Sequence, residues 1–419
     1  MIDADARARA ERPFGFLYVH NAEQEHPKCA WRRCNWRVHG RLREVDPAYS
    51  AEIRFVDRLL ADPLLRTHDA SSAALHYAPL YLNLLSNQAY QKTKLNFASA
   101  IRSLNASSAT FRSSWARNKT RHVFFIVSDK GACLLPRGPI YVTAWGLTVP
   151  WGAMVHPQAW LTQPAALASV PADEPPCTDS RGVIVPPWLH RWGRGVFTWN
   201  SSRRELAPTA TRITTSARRP WECELLFAGS IARPNTRSTC DDLGRGGSVP
   251  CYSQGVRAAV SVHHGNRTGF CMGRRLPDAL FTRSRFCLAP SGEGWGDRLV
   301  RAMAAECVPL IIQDSVRQPF DDLLPYDRFS VRLKTADIPM LHRKLARISE
   351  AQHTRLRAGV RRFATAFDWS TAGHAYELAR YSLCLRAGVR GCDALAPAIL
   401  THLGRRRGSG IGNPSGIGH

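Results

Sequence analysis

The stretch Ser284–Ile312, SRFCLAPSGEGWGDRLVRAMAAECVPLII, holds a short apolar run, a glycine loop, a helical pattern and a second apolar run. Residues 285–289 are mostly apolar and end at Pro290, so they read as a buried strand. Gly292, Gly294 and Gly296 predict a loop with positive φ angles, where a ligand can approach the backbone closely. Asp297 then suits an N-cap, and Leu299, Val300, Met303 and Ala304 mark the packed face of a helix. That helix is expected to end near Glu306 and Cys307, and VPLII returns as the next strand. Together these form one crossover unit, which should be right-handed.

A helix start carries unpaired N–H groups and the positive end of the dipole, so it attracts phosphate oxygens. Arg298, in the first turn, offers paired donors to a diphosphate. Glu293 could accept hydrogen bonds from sugar hydroxyls. The loop lacks Gly-Lys-Ser/Thr, so it is not a P-loop, and its glycine spacing misses the dinucleotide fingerprint. Read alone, the same letters suit an ordinary turn with Asp297 as a plain cap.

Working outward, apolar runs alternate with helical segments. FGFLYVH (14–20), SAALHYAPLYLNLL (72–85), TRHVFFIVSDKGA (120–132), RGVIVPPWLH (181–190), ELLFAGSIAR (224–233) and RFSVRL (328–333) read as strands or strand starts. AYSAEIRFVDRLLAD places Ile53, Val56, Leu59 and Leu60 at helical spacing. Such alternation implies an α/β protein with mainly parallel sheets. A stretch rich in Pro, Ala, Thr, Ser and Arg separates the halves. The reading is a segment 1–13, an N-terminal lobe 14–195, a linker 196–220, a C-terminal lobe 221–385 and a tail 386–419. The part of the second lobe before about 275 reads as loop-rich, with His263 and His264 as surface histidines. His122, at the start of its strand, reads as structural.

The chain has 419 residues and a formal charge of +24. Only 7 of its 57 basic residues are Lys, and the arginines are scattered rather than gathered on one stretch. That argues against a nucleic-acid binder. Its 12 cysteines form no CxxC pair, which disfavours a zinc ribbon. Cys29 with Cys34, and Cys384 with Cys392, are spaced for local disulfides. Glycosylation sequons stand at Asn105, Asn118, Asn200 and Asn266. Cysteine use and sequons both point to an oxidising lumen. No apolar run reaches the length of a membrane span; either the protein is not luminal or an N-terminal anchor is missing from this chain, and the second is the expectation.

The run from Ser284 to Leu333 resembles the signature of the exostosin family of glycosyltransferases. The matching pieces are Phe286-Cys287-Leu288-Ala289-Pro290, Arg298-Leu299, Cys307-Val308-Pro309, Pro319-Phe320 and Phe329-Ser330. Upstream, LLFAGSIAR, SRGVIVPPWLH, NKTRHVFFIVSDKGAC and FLYVH are similar to further family segments. The resemblance implies a GT-B arrangement, two Rossmann-like lobes with mainly parallel sheets facing a cleft. It also implies a Golgi enzyme acting on the luminal side. A hexose or pentose would pass from a nucleotide sugar, in the form of a UDP-sugar, to a polysaccharide or glycoprotein glycan with inversion. The partners implied are the donor and the glycan acceptor, without nucleic acid; an oligomer is compatible. The expected nucleotide-sugar set is Gly229, Arg233, Ser291, Gly292, Glu293, Gly294, Asp297 and Arg298. Asp129 is the first candidate for the catalytic base and His20 the second, both at strand ends. No cofactor is expected. The only Asp-x-Asp is Asp3-Ala4-Asp5, outside any core strand, so no tightly bound metal is expected either. Two departures from the family stand out. Asp297 replaces a usual serine, and Glu306 replaces the glycine that usually precedes the cysteine. They keep open a rival reading, a catalytically weak carbohydrate-binding pseudoenzyme on the same scaffold.

Overall fold

The structure, a computed structural model, describes residues 15–20, 37–38, 41–42, 51–80, 90–128, 131–133, 135–149, 176–188, 221–231, 252–292 and 294–401. In the first half, strands β1 (Leu17–Val19), β2 (Arg37–Val38) and β3 (Arg41–Leu42) precede helix α1 (Ala51–Leu60). Then come β4 (Arg66–Thr67), β5 (Leu75–Tyr77), α2 (Tyr90–Ser107), α3 (Ala109–Arg117), β6 (His122–Ile126), β7 (Ile140–Thr143), β8 (Gly146–Leu147) and β9 (Val183–Ile184). Six of these strands form one sheet in the order β4-β1-β5-β6-β7-β9, and every pairing in it is parallel.

β6 shows why the sheet is buried on both sides. All five residues of HVFFI are buried. Val123 and Phe125 point into a core shared with α1, where Phe55 lies 5.5 Å from Phe125. Phe124 and Ile126 face the other way, against Phe97 of α2 and Phe111 of α3. Two-sided burial of a parallel sheet gives unbroken apolar runs rather than alternation. α3 starts where Ser108 caps it, its hydroxyl accepting from the Phe111 N–H at 3.0 Å.

The second half holds β10 (Cys223–Ala228), α4 (Val256–His264), β11 (Phe270–Gly273), α5 (Ala279–Thr282), β12 (Ser284–Leu288), α6 (Arg298–Ala304), β13 (Val308–Ile312), β14 (Val316–Arg317) and β15 (Val331–Leu333). The five-stranded sheet runs β11-β10-β12-β13-β15, again all parallel. Both sheets begin second-first-third-fourth-fifth in chain order, the doubly wound pattern. The two α/β units are consistent with the GT-B arrangement that the family resemblance implies. α4 and β11 replace the loop expected before residue 275. His264 is therefore no surface residue: it is 3% exposed, and its Nε2 lies 2.6 Å from Ile338 O.

Among the described residues the units are joined by a two-strand ribbon, by the returning C-terminal segment and by side-chain packing. β14 pairs antiparallel with β8, Val316 opposite Leu147 and Arg317 opposite Gly146. A Cβ on Gly146 would stand 2.3 Å from Arg317 O, so only glycine permits this approach. After α7 (Leu341–Ala346) and α8 (Glu350–Phe363), the chain crosses back. Trp369 Nε1 donates to Pro186 O at 2.8 Å. α9 (Ala375–Ala387) then lays Tyr376 against Phe55 of α1. The Cys384–Cys392 disulfide forms as expected and ties α9 to the turn before α10 (Ala398–Thr401). Residues 386–401 are thus folded rather than tail. Cys29, Cys34 and the expected linker from 196 lie outside the described residues.

Candidate donor-binding site

In a doubly wound sheet, ligands bind beyond the carboxyl ends of the strands where the order reverses. In the second sheet that point lies between β10 and β12. β10 leads into Gly229 and Ser230, and β12 leads into Pro290, Ser291 and Gly292. The quoted glycine loop therefore sits where the topology places a ligand.

A buried arginine holds these two loops together. Arg257, 4% exposed on α4, donates from Nη1 to Ser230 O at 3.1 Å and from Nη2 to Ser291 O at 2.7 Å. Its Nε donates to Ser253 Oγ at 3.0 Å, and that hydroxyl donates to Ser291 O at 2.7 Å. Charge-assisted bonds to two carbonyls fix the spacing of the loops. The approach to α4 is strained: Ser253, Gln254 and Gly255 have φ of 60°, 52° and 71°. Successive left-handed residues persist only when the surroundings over-determine them, and they cluster at ligand sites. Ser253 N–H also donates to Gly292 O at 2.9 Å. Sequence reading missed Arg257, because nothing distinguishes it among fifty arginines until α4 and the two loops are placed.

Arg298 opens α6 beside Gly229. A Cβ on Gly229 would lie 3.1 Å from Arg298 Nη2 and 2.8 Å from Phe227 Cζ. Arg298 Nε is buried and makes no hydrogen bond. An unsatisfied buried donor of this kind asks for an acceptor. Arg298 Nη1 is ion-paired with Asp297 Oδ1, and Asp297 Oδ2 accepts from Arg301 Nε at 2.7 Å. Burial works to raise the Asp297 pKa, but the Arg298 and Arg301 guanidiniums outweigh it and hold it below the ordinary value.

Three expectations change here. Asp297 does not cap α6: it has helical φ and ψ, makes no side-chain cap bond, and spends its carboxylate on the two arginines. α6 has only seven residues, and an anionic carboxylate stands at its start. Any phosphate charge would thus be met by Arg298 and the loops rather than by the helix terminus. The glycines are also used differently. Gly292 and Gly296 are absent from the positive-φ positions. They are small because a Cβ on Gly292 would lie 2.5 Å from Trp295 O, and one on Gly296 3.0 Å from Pro290 O. Trp295 packs against the first unit, in a cluster with Trp145, Leu147 and the Cys133–Cys177 disulfide.

Of the expected donor residues, Gly229, Ser291, Gly292, Gly294, Asp297 and Arg298 gather around this point. Arg233, Glu293 and Asp129 lie outside the described residues. His20 does not face a cleft: it is 1% exposed and packs among His76, His122 and Phe111. A base there has no open side toward an acceptor hydroxyl. A cavity of about 1150 Å³ lies elsewhere, between residues 321–332 and α8, and shares no residue with this point.

The fold is that of an α/β protein whose second sheet has a topological switch point between β10 and β12, a candidate ligand site. Residues 214–348 match the Exostosin GT47 domain, so the family resemblance read from the sequence holds on the segment that builds the site. Over 93 residues the chain is 39% identical to a probable glycosyltransferase of Arabidopsis thaliana, covering 21% of this chain and 20% of that protein. It is 36% identical over 94 residues to a probable glucuronosyltransferase of Oryza sativa subsp. japonica, covering 22% and 23%. A probable beta-1,4-xylosyltransferase of Arabidopsis thaliana is 35% identical over 94 residues, covering 22% of this chain and 23% of that protein. The chain thus spans about a fifth of the length of these curated relatives.

Proposed function

We propose that this protein is a glycosyltransferase that moves a sugar from a nucleotide-sugar donor to a glycan acceptor. The observation that carries the reading is a coincidence of place. The exostosin match at 214–348 covers the switch point where Arg257 spaces the loops and Arg298 stands beside Gly229. Glycosyl transfer must stabilise a departing nucleoside diphosphate, and pre-placed guanidinium donors do that in a site closed to water. In this reading Arg298 Nε and Nη2 meet the diphosphate while Asp297 fixes the guanidinium. Arg233 and Glu293 keep their expected roles, toward phosphate and toward sugar hydroxyls, in this reading. Asp129 is the base that takes the acceptor proton in an inverting transfer.

The names of the relatives suggest a glucuronosyl or xylosyl donor and a polysaccharide acceptor. A Golgi lumen suits the disulfides Cys133–Cys177, Cys223–Cys271, Cys287–Cys307 and Cys384–Cys392, since such bonds persist in oxidising compartments. Among the described residues no helix is long and apolar enough to cross a membrane.

The test is a screen of UDP-sugars, read as UDP release with and without glycan acceptors, together with UDP binding by calorimetry. One donor should be turned over. Arg298→Ala should lower turnover by about a hundredfold or more while the protein stays folded. UDP binding with no turnover of any donor would point to the pseudoenzyme instead. UDP seated away from Gly229 and Arg298 in a co-crystal would overturn the site.

A further inference from the structure

Three histidines from three neighbouring strands meet beneath α3, far apart in sequence. β1, β5 and β6 lie side by side, with Tyr18 opposite His76 and His76 opposite His122. Side chains two apart on a strand share a face, so His20 joins the same face as Tyr18. His20, His76 and His122 are 1%, 5% and 0% exposed. One ring nitrogen from each lies within 4.8 Å of the others.

Aromatic packing accounts for the ring contacts but not for the polar atoms. His76 Nδ1 is buried and has no hydrogen-bond partner. Such an atom carries a desolvation cost that a phenylalanine would avoid. His122 is arranged differently. Its Nδ1 lies 3.2 Å from Asn118 O, which places the proton on Nδ1 and leaves Nε2 as an acceptor. An N–H to carbonyl contact of this kind is the usual outer support of a metal-bound imidazole. Nε2 lies 3.1 Å from Ser114 Oγ, a hydroxyl that also has Phe111 O at 3.0 Å. Ser114 can therefore release the imidazole and keep a bond. Burial, then the neighbouring histidines, push the His122 pKa down to about 3. Burial first, then His20, Arg121 and Arg117, push His76 down to about 4.

We propose that His20, His76 and His122 form a tri-imidazole site for a divalent transition metal ion of the zinc class, distinct from the donor site. Three nitrogen donors and no carboxylate select zinc, cobalt, nickel or copper over magnesium and calcium. Zinc–nitrogen distances of about 2.0–2.1 Å bring tetrahedral donors to about 3.4 Å from one another. Rotation of the imidazoles would close the present spacing. A small cavity lined by His76, Thr110, Ser114, Arg117 and Arg121 borders the cluster on the His76 side and would supply the fourth ligand. The two guanidiniums disfavour a bare dication and favour a small anion such as hydroxide as the fourth ligand. The ion would strap β1, β5 and β6 together and stabilise the folded chain by mass action.

The test strips the full chain with a chelator, then titrates it with Zn²⁺ and with Co²⁺, whose visible absorption reports coordination geometry. The expected result is one ion per chain, a tetrahedral Co²⁺ spectrum and a Tm that rises with Zn²⁺ concentration. His20→Phe and His76→Phe, which keep an aromatic ring in the core, should each weaken binding by more than about a hundredfold. Their folding is checked by circular dichroism. Absence of stoichiometric binding in the wild-type chain would overturn the proposal whatever the variants do. So would binding that both folded variants leave unchanged, which would assign the ion to other histidines.

Discussion

Glu306 sits in the left-handed region, with φ of 56°, between α6 and β13. A side chain there costs about 1–2 kcal/mol relative to glycine. The Glu306 carboxylate gains an ion pair with Arg361 Nε at 2.7 Å, but both side chains are about half exposed, so that pair contributes little. Glu306→Gly should therefore stabilise the protein by up to about 1 kcal/mol, seen as a higher denaturation midpoint. A lower midpoint would show that the Arg361 contact outweighs the backbone strain. The departure from the family thus reads as a backbone cost far from chemistry, not as a sign of lost activity. At Gly229 the balance is reversed. Gly229→Ala must displace either Phe227, which is 1% exposed, or the Arg298 guanidinium. Displacing Arg298 should leave folding nearly intact and lower turnover at least about tenfold, since small misplacements of a positioning group are costly. Equal turnover in the two proteins would remove Arg298 from the site. These residues show what sequence can reveal about a site. Gly229 and Arg298 are legible because motif and strand end fall together. The role of Asp297 is not, because a cap and an arginine tether call for the same side chain.

Elements differ in legibility for physical reasons. β6, β10, β12 and β13 are buried on both sides and stand out as apolar runs. α2 is harder to see, although Phe97, Ala100, Ile101 and Leu104 form a proper helical stripe in it. Its polar neighbours dilute the run, and the stripe shows only when counted at helical spacing. β11 escapes because it is a four-residue edge strand. The histidine cluster is invisible for a stronger reason: its members become neighbours only through strand order. α8 supports the second sheet through His353, which is 1% exposed and donates from Nε2 to Arg285 O at 2.8 Å. Phe286 and Trp221 present their rings to it at 5.3 and 5.2 Å. Burial pushes its pKa below the ordinary value, against the pull of the Arg285 carbonyl. The unfolded chain then binds the proton more readily than the folded one. Stability from this residue is complete above about pH 6.5 and falls as pH drops below it. His353→Gln keeps an N–H for the Arg285 carbonyl and does not titrate. Its stability should decline less between pH 7 and 5 than that of the wild type, measured by urea denaturation; parallel curves would refute this.

At the scale of the molecule, both sheets use one strand order without any visible sequence repeat, so the architecture repeats where the residues do not. What makes one body of them is the returning C-terminal helix. Asp62, just past α1, accepts from Tyr376 Oη and from Arg380 Nη1, both at 2.9 Å. Its side chain is 8% exposed, and the same carboxylate receives the Leu64 N–H at 3.0 Å. Arg58 adds a bond to Glu377 at 3.4 Å and stacks over Tyr376. The second unit is thereby latched to the first by a segment that follows it in the chain. Removing one partner of a buried pair leaves the other stranded, at a cost of about 3–5 kcal/mol. Asp62→Ala should therefore lower stability by that order and loosen α9, seen as faster amide exchange across 375–387. Removing the stranded charge as well, in Asp62→Ala with Arg380→Leu, should recover much of the loss. If the single variant costs less than about 1 kcal/mol, the latch is only a surface contact. In that case the β8–β14 ribbon and Trp369, rather than α9, hold the two units together.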